Sequence, residues 1–187
     1  MSARKNKTNK SKSDNKIPTR DFALFLLRKV KLPFSIRRHS ISVANRALKI
    51  ANKIKKVEVN KKLVEIGGLL HDIGRSKSHG FEHGLLGGKI LRSYGLSERL
   101  TRICETHILG GLDKEDAREL GLPVKDYLPK TLEEKIVCLA DKHMKGRHEV
   151  SIEERFEIWF KKYGETTILL KSKKRVEQIQ KEIKALF

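Results

Sequence analysis

The chain has 187 residues, 38% of them hydrophobic and 35% charged, with 42 Lys and Arg against 23 Asp and Glu for a formal charge of +19. That apolar share supplies a core, so disorder throughout is excluded, and runs such as residues 23–27 fall far short of the roughly 18 apolar residues of a membrane-spanning helix. Two cysteines, Cys104 and Cys138, exclude a disulfide scaffold or an all-cysteine metal site. The opening MSARKNKTNKSKSDNK lacks the apolar core of a secretory signal. The expectation is a cytoplasmic protein with polyanionic partners.

Residues 1–16 hold Arg4, Lys5, Lys7, Lys10, Lys12 and Lys16 against Asp14, with no aromatic side chain, and read as a disordered basic tail. Residues 17–187 read as a single domain. Pro18 and Asp21 suit a helix start, and Phe22, Leu26 and Val30 recur along one stripe until Pro33 stops it. A second helix over about residues 34–55 carries Ile36, Ile41, Val43, Ala44, Ala47, Leu48 and Ala51. Residues 28–62 hold twelve basic residues and only Glu58 as an acid, which predicts a folded basic face. Asn60 caps a third helix whose Leu63, Ile66, Leu69 and Leu70 lead into His71-Asp72 and the breaker Gly74. Residues 81–94 form a fourth, 97–108 a fifth and 114–120 a short sixth, ended by Gly95, Gly110-Gly111 and Gly121. Thr131 with Glu134 and Ser151 with Glu154 are capping-box patterns that open two more helices. A last helix over about residues 165–186 places Val176, Ile179, Ile183 and Leu186 on one face; this narrow stripe suits packing on the core better than an anionic membrane. No strand pattern appears, and the fold class is all-α.

The histidines carry the chemistry. His71-Asp72 closes an apolar helix in LLHDIG, at a turn where both side chains can reach one ion. Asp141 lies in VCLADKH, an apolar stretch where a carboxylate is costly to bury without a partner or a metal. His39 follows the inward stripe of the second helix, His83 opens the fourth and His107 ends the fifth. Any one of them alone reads as a hydrogen-bonded histidine. Together, on separate helices, they read as a metal site in a bundle core. His143 and His148 read as surface residues.

The order His39, His71-Asp72, Asp141 resembles the H…HD…D signature of the HD-domain metal-dependent phosphohydrolases, with HDIG at residues 71–74 as its centre. His83 and Gly87 in EHGLLGGKIL, His107 in ETHILGG and the segment TLEEKIVCLADKHMKGR are similar to further motifs of the dinuclear members. The pattern, over about residues 34–150, also resembles archaeal HDIG proteins and the bacterial HD hydrolases that cleave bis-nucleoside tetraphosphates symmetrically. The resemblance implies an HD-domain helical bundle with two divalent metal ions. His39, His71, Asp72 and Asp141 would hold the first, His83 and His107 the second, with Asp72 bridging. A donor set of nitrogen and oxygen without thiolate fits Fe, Mn, Co or Mg better than structural Zn. Asp72 and His79, in the loop RSKSHG, are the candidate catalytic residues, His79 as a proton donor. Arg75, Lys142, Lys145 and Arg147 follow the two aspartate motifs and are candidate substrate-binding cations. Gly84, Gly87 and Gly88 lack the spacing of a phosphate loop and point to close helix packing.

Three functions stay open. One is hydrolysis of a phosphoester or phosphoanhydride in a nucleotide or other phosphorylated small molecule. The second is an RNA- or DNA-directed phosphodiesterase using the basic tail and residues 28–62. The third is a non-catalytic nucleic-acid-binding protein that retains a metal site. A full set of six ligands speaks against the third. Aromatic residues, at 6%, are not interleaved with the basic face, so base stacking there has little support.

Overall fold

The computed structural model describes residues 16–187. The basic tail expected over residues 1–16 lies outside the described residues except for Lys16, whose carbonyl accepts from the Ser97 amide at 3.2 Å. Among the described residues there are nine α-helices, two 3-10 turns and a two-stranded ribbon, so the all-α expectation holds.

Helix α1 (Arg20–Lys29) starts where Thr19 accepts from the Phe22 amide, with Asp21 in its first turn and Arg28 and Lys29 in its last, both favourable to the helix dipole. Its inner face is Ala23, Leu26 and Leu27, while Phe22 is exposed. The expected stripe through Phe22 is therefore one position off, because Leu27 and Ala23 complete the i, i+4 row with Leu26 beside them. Helix α2 (Phe34–Lys53) turns Val43, Ala44, Ala47, Ile50 and Ala51 inward against α3 (Lys61–Leu70), capped by the Asn60 side chain. Small residues let these backbones approach: a Cβ added at Gly68 would lie 2.7 Å from the Ala44 Cα.

A 3-10 turn (Ile73–Ser76) leads to α4 (His83–Ser93), then α5 (Glu98–Thr106), a second 3-10 turn (Ile108–Gly110) and α6 (Lys114–Glu119). Gly74 packs directly on the start of α4, where a Cβ would lie 1.9 Å from the His83 carbonyl oxygen and 2.5 Å from the Gly87 nitrogen. Gly84, Gly87 and Gly88 make similar close contacts with α5 and the first 3-10 turn. Helix α6 has a reciprocal capping box between Asp113 and Asp116. Helix α7 (Leu132–Lys142) is capped by Thr131, but the Glu134 carboxylate accepts from the Lys130 amide, one residue before the expected partner.

Strands β1 (Met144–Lys145) and β2 (His148–Glu149) pair antiparallel around Gly146, at φ 63°. No strand was expected here, since two residues are too few for alternation to register. Helix α8 (Ile152–Tyr163) and helix α9 (Thr167–Lys184), capped by Ser151 and Thr166, complete the chain. The α9 stripe of Ile168, Leu169, Val176, Ile179 and Ile183 is buried, and α9 packs on α7, α8 and the second 3-10 turn. No helix among the described residues is long and apolar enough to cross a membrane.

Candidate metal centre

Five chain segments converge on one buried point. His39 comes from the middle of α2, His71 from the residue after α3 with Asp72 behind it, His83 from the first residue of α4, His107 from the residue after α5, and Asp141 from the last turn of α7. His71 is fully buried and Asp72, His83 and His107 nearly so, while His39 and Asp141 border the adjoining cleft.

Helix ends orient the rings. The last carbonyls of a helix lack intrahelical partners, and two of them accept from these histidines: His71 Nδ1 donates to the Gly68 carbonyl and His107 Nδ1 to the Cys104 carbonyl, both at 2.8 Å. His83 Nδ1 donates to the Gly80 carbonyl at 2.6 Å, and His39 Nδ1 to the Gly146 carbonyl, in the ribbon turn, at 2.9 Å. With all four protons on Nδ1, all four Nε2 lone pairs point into the cluster, the arrangement of metal-ligating imidazoles.

The two aspartates stand among those lone pairs. Asp141 Oδ1 lies 3.0 Å from His39 Nε2 and 3.6 Å from His71 Nε2. Asp72 Oδ2 lies 3.7 Å from His71 Nε2, whereas its Oδ1 lies 3.2 Å from His83 Nε2 and 3.4 Å from His107 Nε2. The two oxygens of Asp72 thus face different histidines, as a bridging carboxylate does. Two triads, His39/His71/Asp141 and His71/Asp72/His107, have their donor atoms within 4.8 Å of one another.

Divalent cations fit this set on three observations. His71 Nε2 is buried without a hydrogen-bond partner, which is costly unless a cation satisfies it. His83 Nε2 and His107 Nε2 approach to 3.2 Å although both are acceptors, which a shared positive charge relieves. Burial pushes the His107 imidazole down to about 4, so it is a neutral ligand at pH 7. Burial also works against ionisation of Asp72 and Asp141. It is outweighed at Asp72 by the neighbouring histidines and at Asp141 by Lys142, His39 and His71, so both carboxyls lie well below their ordinary range. Cys104 and Cys138 are buried thiols that donate to the Leu70 and His107 carbonyls.

The predicted cations take different places. Arg75 Nε lies 2.8 Å from Asp72 Oδ1 while its guanidinium borders the cleft. Lys142 is buried, its Nζ against Asp141 Oδ2 and 3.0 Å from the His107 carbonyl. Lys145 and Arg147 are exposed on the ribbon and do not line the cleft; His79 is exposed and does. Sequence reasoning missed Arg155, which donates from Nε to the Lys142 carbonyl at 3.1 Å and also to the Met144 carbonyl, holding the α7–β1 junction. No motif marks it. It missed the Gly146 carbonyl for the same reason.

The centre opens into a cleft of about 880 Å³. Beside His107, Leu109 lines this cleft with φ 52°, a conformation uncommon for a non-glycine residue.

Comparison with known proteins adds family and fold. A family model described as the HD domain matches residues 36–144. An uncharacterized protein of Methanocaldococcus jannaschii is 54% identical over 96 residues, 51% of this chain and 57% of that protein. Two proteins named tRNA (cytidine(56)-2'-O)-methyltransferase also match. The one from Picrophilus torridus is 51% identical over 73 residues, 39% of this chain and 21% of its own length. The one from Thermoplasma volcanium is 40% identical over 94 residues, 50% of this chain and 28% of its own. The chain therefore spans less than two thirds of each of these relatives. Among solved structures, the HD domain of the Listeria monocytogenes phosphodiesterase PgpH aligns with a TM-score of 0.50. Its complex with cyclic-di-AMP is 21% identical and covers 86% of this chain and 94% of that one; the structure without the nucleotide is 20% identical and covers 86% and 96%. That likeness is one of fold.

Proposed function

The chain belongs to the HD domain family, and from that premise we propose that it is a metal-dependent phosphohydrolase acting on a nucleotide-type substrate. The observation that carries this reading is the convergence of four Nε2 lone pairs on two aspartates, with His71 Nε2 buried and unpartnered. His39, His71, Asp72 and Asp141 would hold one divalent ion and His83 and His107 a second, with Asp72 shared. Such ions supply a nucleophilic water at neutral pH and neutralise phosphoryl charge.

The protein's own groups do the rest. Arg75 braces Asp72 through Nε and keeps further N–H donors for a phosphate in the cleft, where they offset charge on the transferring group. His79, exposed and bordering the cleft, would give a proton to the departing oxygen. Lys142, buried at the border of the cleft, acts as a positioning residue whose ammonium holds Asp141. Lys145 and Arg147 add positive potential at the ribbon. In support of a nucleotide, the PgpH domain of like fold is seen with cyclic-di-AMP.

A second reading, an RNA-directed phosphodiesterase, has one observation in its favour. Phe25 and Phe34 are exposed on the basic helices, with Lys29 5.8 Å from the first ring and Arg37 and Arg38 each 5.5 Å from the second. Cations and aromatic rings are thus interleaved there after all, as in single-strand binding surfaces. The relatives named as tRNA methyltransferases agree with that reading.

The test is metal analysis of the purified protein, with a hydrolysis screen of mononucleotides, dinucleoside polyphosphates, cyclic nucleotides and short RNAs. Asp72→Ala serves as the blank and is expected to lose nearly all activity together with bound metal. Fewer than one ion per chain after Mn or Fe addition, or an active Asp72→Ala protein, overturns the assignment. RNA cleavage without nucleotide cleavage selects the second reading.

A further inference from the structure

The cleft is not lined by the His/Asp cluster alone. Helix α8 turns Ile152 and Phe156 into the core, while Arg155, Trp159 and Tyr163, at i, i+4 and i+8, border the cleft. Phe81, from the loop before α4, borders it too. Phe81 and Tyr163 are 41% and 57% exposed, an arrangement that leaves aromatic surface in water with nothing among the described residues covering it. Trp159 is held in place: the Phe156 ring meets it edge-on at 5.2 Å, and the Arg155 guanidinium lies 5.4 Å from its ring centre.

A cleft of about 880 Å³ is far larger than a phosphate and falls in the range of about 300–1,000 Å³ typical of small-molecule sites. The same cleft offers Arg75 and the charged cluster together with aromatic side chains. The ligand that matches both carries an anionic group and a flat apolar ring.

We propose that Trp159, Tyr163 and Phe81 form a nucleobase subsite, so that a nucleotide lies across the cleft with its phosphate at the His/Asp cluster and its base on the aromatic wall. The inference rests on the phosphohydrolase reading for the phosphate end alone. Stacking on aromatic rings is tolerant of base identity, because every base has a π-face. The wall therefore selects base-bearing phosphates over sugar phosphates, without selecting one base.

Trp159 is the only tryptophan in the chain, so its emission reports on this wall. The full-length protein is titrated with adenosine, uridine, adenosine monophosphate, ribose 5-phosphate and inorganic phosphate, exciting where nucleosides do not absorb. The nucleosides and the nucleotide are expected to change the emission saturably, and ribose 5-phosphate and phosphate to leave it unchanged. Tyr163→Ala and Phe81→Ala alter exposed side chains and keep the reporter; each is expected to weaken adenosine binding at least about fivefold. Emission indifferent to both nucleosides, or wild-type adenosine affinity in both variants, overturns the proposal. Phosphate-ester hydrolysis with no nucleoside response removes the subsite and leaves the enzyme. Nucleoside binding without hydrolysis of any phosphate ester does the reverse.

Discussion

Lys142 holds a charged ammonium almost wholly inside the protein, 4% exposed, between the Asp141 carboxylate and the His107 carbonyl. A buried charge is tolerated only when paired, and removing one partner strands the other. Lys142→Met is therefore expected to destabilise the metal-free protein by about 3 kcal/mol in urea unfolding. Excess divalent metal should narrow that gap, because a cation at His39 and Asp141 then replaces the lost ammonium. A metal-free variant that unfolds at the wild-type urea midpoint would show that Lys142 does not carry this role. The residue type and its place after Asp141 were legible in the sequence; its inward direction was not, since nothing local distinguishes Lys142 from the exposed Lys145.

At the scale of elements, the α2–α3 contact sets the cluster. Ala44 and Gly68 let the two backbones nearly touch, and the Gly68 carbonyl at the same place orients His71. Gly68→Ala inserts a methyl group 2.7 Å from the Ala44 Cα, so the helices must separate. Overpacking of this kind costs about 1–3 kcal/mol, or roughly 2–4 °C of Tm per kcal/mol in a chain of this size. Bound metal per chain should fall as well, because His71 moves with Gly68. A normal Tm with full metal content would show that the gap absorbs the methyl group. Helix starts were readable from the caps Asn60, Thr131 and Ser151, which act within one turn. The ribbon that carries the Gly146 carbonyl was not.

Across the whole molecule, α9 is tied to the start of α6 through charge. Lys171 lies 2.8 Å from Asp113 and 2.9 Å from Asp116, and Arg175 lies 2.5 Å and 2.6 Å from the same pair. Burial pushes the Asp113 carboxyl up, but Lys171, the Asp116 amide and Arg175 hold it at about 2. Its pKa is thus lower folded than unfolded, where a value of about 3.9 applies. The stabilisation is complete above that unfolded value and disappears as pH falls through about 2. The wild-type Tm should therefore drop between pH 4 and pH 2, and Asp113→Asn should flatten that drop while lowering Tm at pH 7. An unchanged acid limb in the variant would show that the Asp113 clamp is not what acid breaks. The net charge of +19 acts over longer range: it raises the local concentration of any anionic substrate and is screened by salt.

Caps, breakers and apolar periodicity operate over three or four residues; five of the six candidate ligand positions fall at or beside helix ends, and His39 follows the inward stripe of α2. The sequence by itself therefore determined the helical class, most helix ends and the donor types of the centre. The family resemblance already paired His39 with Asp141, 102 residues apart, whereas tertiary structure alone decided that His39 meets the Gly146 carbonyl, 107 residues apart. Tertiary structure also turned Lys142 inward, and it lined the cleft with Trp159 and Tyr163 on a helix that no motif connects to the histidines. Those outcomes follow from how whole helices pack, and packing is settled by the sum of many contacts that no short stretch of chain contains.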